Sequence, residues 1–95
     1  MHQLKELENQ LIFVKMTKFT PFFINYDTPQ SIPTNCNSII FINLGTTTCY
    51  IENITLAPAQ SFTIDGNACE YMETTIQINF SGIGNNNLVV VKKVF

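Results

Sequence analysis

The period of the hydrophobic positions changes near Phe19. Before it, Leu4, Leu7, Leu11 and Val14 recur at spacings of three, four and three, with Lys5, Glu6 and Glu8 between them. That spacing lines one face of a helix. A segment this short does not hold an isolated helix, so its stripe needs a surface to dock on, in its own domain or on another chain. The same residues also suit a frayed tail, or an extended strand beginning at Leu11, and propensity does not choose among these. Residues 1–15 are therefore set apart as an N-terminal arm, with 16–95 as the folded domain. Leu4, Leu7 and Leu11 are the candidate partner-binding residues. Met16 offers a second translation start, which would make the preceding residues dispensable to the fold.

After Phe19 the pattern is one of strands and turns. Phe19 to Tyr26 is aromatic and β-branched but holds Pro21, which cannot donate to a ladder and so belongs on a sheet edge. Asp27 to Asn37, with Pro29, Pro33, Asn35 and Asn37, reads as a loop with extended pieces. In Ser38 to Asn43 both Ile39/Phe41 and Ile40/Ile42 are apolar, which predicts a central strand covered on both faces. Asn43-Leu44-Gly45-Thr46 has turn chemistry and leads into Thr47 to Glu52 as the return strand of a hairpin. There Cys49 and Ile51 share one face, and Tyr50 and Glu52 the other. Asn53-Ile54-Thr55 is a further turn, Leu56 to Gln60 a crossing, and Ser61 to Ile64 a short strand closed by Asp65-Gly66-Asn67.

Ile76, Ile78 and Phe80 alternate with Thr75, Gln77 and Asn79, the period of a half-buried antiparallel strand. Ser81 to Asn87 is too polar and glycine-rich for a core and reads as a hairpin loop. Leu88 to Phe95 closes the chain with Val89, Val91 and Phe95 opposite Leu88, Val90 and Val94. Lys92 and Lys93 there have the character of charges that guard a sheet edge. About six or seven short strands roughly ten residues apart predict an all-β domain, an antiparallel β-sandwich or small barrel of jelly-roll or immunoglobulin-like type, with the short N-terminal arm in front.

Composition narrows the function. The 95 residues suit one domain, and 45% hydrophobic content supplies a core. Only 13% of residues are charged, with a net charge of −2. No basic field exists to draw the chain to phosphate backbones, so nucleic acid is not an expected partner. No apolar run approaches the roughly 20 residues of a membrane span, and no basic start with a cleavage site precedes Leu11 to Val14. The expectation is a soluble protein without a membrane partner, made in a reducing cytoplasm.

Cys36, Cys49 and Cys69 form no CxxC pair, and His2 is the one histidine. Buried or half-buried free thiols fit this set, as does one disulfide with one free thiol; a zinc site does not. A histidine two residues from the start is badly placed for a catalytic triad. Glu70 and Glu73 flank Tyr71, while Glu52 and Asp65 stand alone near turns, and none of these contexts predicts a shared desolvated cleft. Gly82-Ile83-Gly84 lacks the third glycine, the helix and the lysine of nucleotide motifs. Asp65-Gly66-Asn67 with Glu70 is only a fragment of a calcium loop. Asn53-Ile54-Thr55 and Asn79-Phe80-Ser81 match the glycosylation pattern at a frequency expected from so many asparagines. The chain is therefore expected to be no enzyme and to have no cofactor and no metal. Tyr26, Tyr50 and Tyr71 would support a carbohydrate- or cell-surface-binding module if their rings clustered.

The stretch Ser38-Ile39-Ile40-Phe41-Ile42-Asn43-Leu44-Gly45-Thr46-Thr47-Thr48, followed by Ile54-Thr55-Leu56-Ala57-Pro58-Ala59-Gln60-Ser61-Phe62, resembles small β-sandwich virion accessory proteins of tailed bacteriophages. The likeness is to head or tail proteins, particularly of phages of Bacteroidetes hosts. It extends over Ser38 to Lys93, taking in Thr74 to Phe80 and Asn86 to Lys93. Where Ala59 stands, the common pattern has glycine. The resemblance implies a structural or capsid-decoration protein that binds other virion proteins, as a homo-oligomer or bound to a capsid. Its location would be the virion, after synthesis in the host cytoplasm.

Overall fold

The computed structural model describes residues 18–95, so the arm of residues 1–15, with Leu4, Leu7 and Leu11, lies outside the described residues. The described chain forms eight strands and no helix: β1 (Thr20–Tyr26), β2 (Gln30–Pro33), β3 (Ser38–Asn43), β4 (Thr48–Ile51), β5 (Ile54–Leu56), β6 (Ser61–Ile64), β7 (Thr75–Ser81) and β8 (Leu88–Val94). They build two four-stranded antiparallel sheets. Sheet I has the order β1-β8-β3-β6 and sheet II the order β2-β7-β4-β5. The first strand thus pairs with the eighth, the second with the seventh, the third with the sixth and the fourth with the fifth. This nesting is the jelly-roll arrangement of a β-sandwich, which decides between the two sandwich types expected.

Alternation of side chains supplies the core. Ile39 and Phe41 of β3 and Leu88 and Val90 of β8 turn inward from sheet I. From sheet II come Ile32, Cys49, Ile51, Leu56, Ile76 and Ile78, all buried. Pro21 sits in β1, an edge strand, as its missing N–H requires.

Every connection but one carries the chain from one sheet to the other, and several expected hairpins are corrected by this. Asn43 to Thr47 does not fold β4 back onto β3, because β3 pairs with β8 and β6 while β4 pairs with β5 and β7. The turn is a corner between sheets, latched by buried Asn43. Its Nδ2 donates to the carbonyls of Thr47 (2.8 Å) and Leu56 (3.0 Å), and its Oδ1 accepts from Gly45 N (3.0 Å). The true hairpin is β4–β5, turning at Glu52 with φ 52°, and Ile54 and Thr55, expected in a turn, belong to a strand. Gly82 to Asn87 is likewise a crossover, since β7 and β8 lie in different sheets.

The two crossovers interlock. Leu44 N donates to Asn87 O (2.9 Å) and Thr46 N to Asn85 O (2.8 Å). A Cβ at Gly45 would strike the Asn85 carbonyl, and one at Gly84, whose φ is 149°, would strike Thr46. Only glycine permits that approach. Ala59, between β5 and β6, has φ 69°, a left-handed conformation that glycine adopts without strain.

Strand β8 is not an edge. It lies between β1 and β3, and Lys92 and Lys93 point to opposite faces of sheet I. Lys92 is buried, and its Nζ donates to Pro33 O at 2.7 Å. Among the described residues no buried side-chain nitrogen or oxygen lacks a hydrogen-bond partner. Such complete pairing is the condition for burying polar groups at all.

Candidate functional site

The register of sheet I places its outward side chains in rows across four strands. One row holds Phe23, Val91, Ile40 and Thr63, and the next holds Asn25, Val89, Ile42 and Ser61. Ile40, Ile42, Val89 and Val91 are half-buried by their neighbours alone, while Phe23 is 70% exposed. The apolar outer side of β3 predicted a strand covered on both faces. Among the described residues nothing forms a second layer over it.

A third row, at the end of this face, carries charge. Lys93 pairs with Pro21 on one side and Ser38 on the other, and Ser38 Oγ donates to Asp65 Oδ1 (3.0 Å). The ammonium of Lys93 lies 4.8 Å from the Phe19 ring centre and 5.4 Å from that of Phe95, within cation–π range. Those two rings meet edge to face at 6.0 Å. Phe19, Pro21, Ile40, Val91, Lys93 and Asp65 line a groove of about 240 Å³ with an apolar floor. One cation and one anion thus border an apolar strip.

The outer face of sheet II has the opposite chemistry. Ser31, Gln77, Asn79, Thr48, Tyr50 and Thr55 point outward there. They are tied to one another and to the backbone: Ser31 Oγ donates to Gln77 Oε1 (2.6 Å), Ser81 Oγ to Tyr50 OH (3.1 Å), and Gln77 N to Glu52 Oε1 (2.8 Å).

At the end of the sandwich away from Lys93, an open polar cleft is lined by Asn25, Tyr26, Asp27 and Asn85 to Asn87. Its amides are already engaged: Asn25 Nδ2 donates to Asn87 Oδ1 (3.0 Å), Asn86 Nδ2 donates to Asp27 O (3.2 Å), and Asn86 Oδ1 accepts from Thr47 Oγ1 (2.6 Å). The 65–70 loop is similarly occupied. Glu70 Oε1 accepts from Asn67 N (3.2 Å), and Asn67 Oδ1 accepts from Cys69 N (3.0 Å). Among the described residues no three His, Cys, Asp or Glu side chains are grouped as metal ligands.

The three tyrosines do not form a platform. Tyr26 turns inward from β1 against the core, Tyr50 lies on the outer side of sheet II, and Tyr71 is in the β6–β7 connection. All three cysteines are free; Cys36 and Cys49 are buried, and Cys69 is exposed. Burial pushes the Cys36 and Cys49 thiols up from their ordinary value, with Lys92 opposing the rise at Cys36. Both stay neutral thiols at neutral pH, the reverse of what a nucleophile needs.

Sequence reasoning put the binding residues in the arm, at Leu4, Leu7 and Leu11, all outside the described residues. It passed over the outer side of sheet I, although the double apolar pattern of β3 and the Val89/Val91 pair were its signal. That signal was read as burial within the domain. No protein-family model, no curated protein and no solved structure matches this chain.

Proposed function

We propose that this chain is a non-enzymatic structural protein of a virus particle, a virion subunit or capsid decoration that binds other particle proteins, copies of itself included. The observation that carries the reading is the apolar outer face of sheet I, over which none of the described residues forms a second layer. Apolar side chains grouped on one outer face and rimmed by polar residues are a usual mark of an interaction site. The jelly roll supports the reading more weakly, since that architecture serves viral capsid subunits and also lectins and cupins. The phage resemblance of Ser38 to Lys93 points the same way. The carbohydrate-binding alternative would draw on stacked rings, and Tyr26, Tyr50 and Tyr71 lie on separate faces.

The test is quantitative mass spectrometry of density-purified particles from cells that express the chain in its native context. A fixed copy number relative to the major shell protein is expected. Recovery of the chain only from the soluble fraction would overturn the proposal.

A further inference from the structure

The outer face of sheet I is complementary to itself. Its central columns are β8 and β3, and a half-turn about an axis running along the strands between them exchanges the two columns while leaving each row at its own height. Val91 then meets Ile40 of the second copy, and Val89 meets Ile42 of the second copy. In the end row Lys93, on β8, comes over the Ser38 and Asp65 side of the second copy, and the reverse contact forms at the same time. We propose that two copies of this chain pack face to face through sheet I about such a twofold axis. This rests on the reading of that face as an assembly surface and names its first partner.

Three observations favour a second copy. The end row carries one cation and one anion on opposite sides of the axis, so each copy supplies both halves of two ion pairs. An isologous contact requires this kind of self-complementarity. The central apolar rows, Val91 with Ile40 and Val89 with Ile42, are β-branched, side chains suited to aligned packing of one sheet face on another. Four strands about 4.8 Å apart, three of six or seven residues and β6 of four at about 3.3 Å each, give a face of up to roughly 20 by 20 Å. Two such faces remove roughly 800 Å², close to the ~1,000 Å² expected of a specific interface. Phe23 and Phe19, 70% and 52% exposed, add apolar area at the rim.

The experiment is analytical ultracentrifugation of the full chain and of Lys93→Glu and Asp65→Lys across a wide concentration range, with thermal melts confirming that each variant is folded. The wild type should dimerise. Each variant alone should dimerise about tenfold more weakly or less, because like charges then oppose each other twice. An equimolar mixture of the two should recover the wild-type affinity, since both contacts become Glu with Lys or Asp with Lys. Only an intermolecular pairing of these two residues gives that recovery. A monomeric wild type, or a mixture as weak as its components, would overturn the inference.

Deleting residues 1–17 separates the remaining occupant. If the deletion converts a monomer into a dimer, the arm covers the face in its own chain and the inference fails. Particle content is measured independently of these results. A monomer found in particles sinks the twofold contact alone, and a dimer absent from particles sinks the structural-protein reading alone.

Discussion

Sheet I turns Ile40, Ile42, Val89, Val91 and Phe23 outward, whereas sheet II turns out Thr48, Tyr50, Gln77, Asn79 and Ser31. Their inner faces are alike in kind, each a set of isoleucines and other apolar side chains closing one core. Folding therefore explains the inner faces and leaves the difference between the outer ones unexplained. Sheet II is finished by cross-strand polar pairs of the sort worth some tenths of a kcal/mol each. Sheet I leaves Ile40, Ile42, Val89 and Val91 half-buried, each with about 1 kcal/mol or less still to gain from being fully covered, and Phe23, 70% exposed, with more. On the proposed reading, the difference separates what holds the domain together from what the domain offers to a partner.

The sharpest way to break this comparison is to place the same charge inside and outside. Ile78→Asp puts an unpaired carboxylate in the core, and should cost upwards of about 4 kcal/mol, enough to abolish a cooperative melt. Val89→Asp, on the outer side of sheet I, should cost about 1 kcal/mol and keep the β spectrum in circular dichroism. Equal losses at the two positions would mean that the outer rows are core after all.

A second change makes sheet II resemble sheet I. Gln77→Val with Asn79→Val should shift stability by less than about 1 kcal/mol while creating a second apolar face. Light scattering should then show higher oligomers in place of a closed dimer, because two sticky faces on one body do not close. An unchanged mass would show that apolar area alone does not drive association here.

The smallest effect belongs to a junction between the sheets. Ala59 has φ 69°, which costs a residue with a Cβ roughly 1 to 2 kcal/mol, whereas glycine loses about 0.5 to 1 kcal/mol of chain entropy. Ala59→Gly should raise stability by up to about 1 kcal/mol, read as a gain of a few degrees in melting temperature, and leave association unchanged. A change in association would tie the outer face to strain in the frame.

Strand positions and faces were legible wherever alternation was strong: Ile76/Ile78/Phe80, Cys49/Ile51 and Leu88/Val90 all point inward as their spacing required. Strand partners were not. Asn43-Leu44-Gly45-Thr46 carries hairpin chemistry, yet a turn motif states only that the chain reverses, not whether it stays in one sheet. The real hairpin turns at Glu52-Asn53: Asn53 did signal a turn, but the turn was expected one or two residues late, with Glu52 in the strand before it and Ile54 and Thr55 in the turn. The guarding charges at Lys92 and Lys93 misled for a similar reason. A lysine can cover the end of a core with its stem and reach a carbonyl, as Lys92 does at Pro33. That no described residue covers Ile40 and Val91 was illegible because β3 alone cannot say whether its second apolar face meets a layer of its own domain or of another.

The nested pairing has a kinetic consequence. β1 finds its one partner in β8, which follows every other described strand, so Ile24 must wait for Val90 before it is paired. Contacts this distant in sequence give slow folding, on the order of milliseconds to seconds, because loop-closure entropy is spent before any pairing compensates it. On a ribosome β1 and β3 stay open at the edges that β8 will fill until synthesis reaches Val94, and during that interval the chain is most exposed to pairing with the wrong strand.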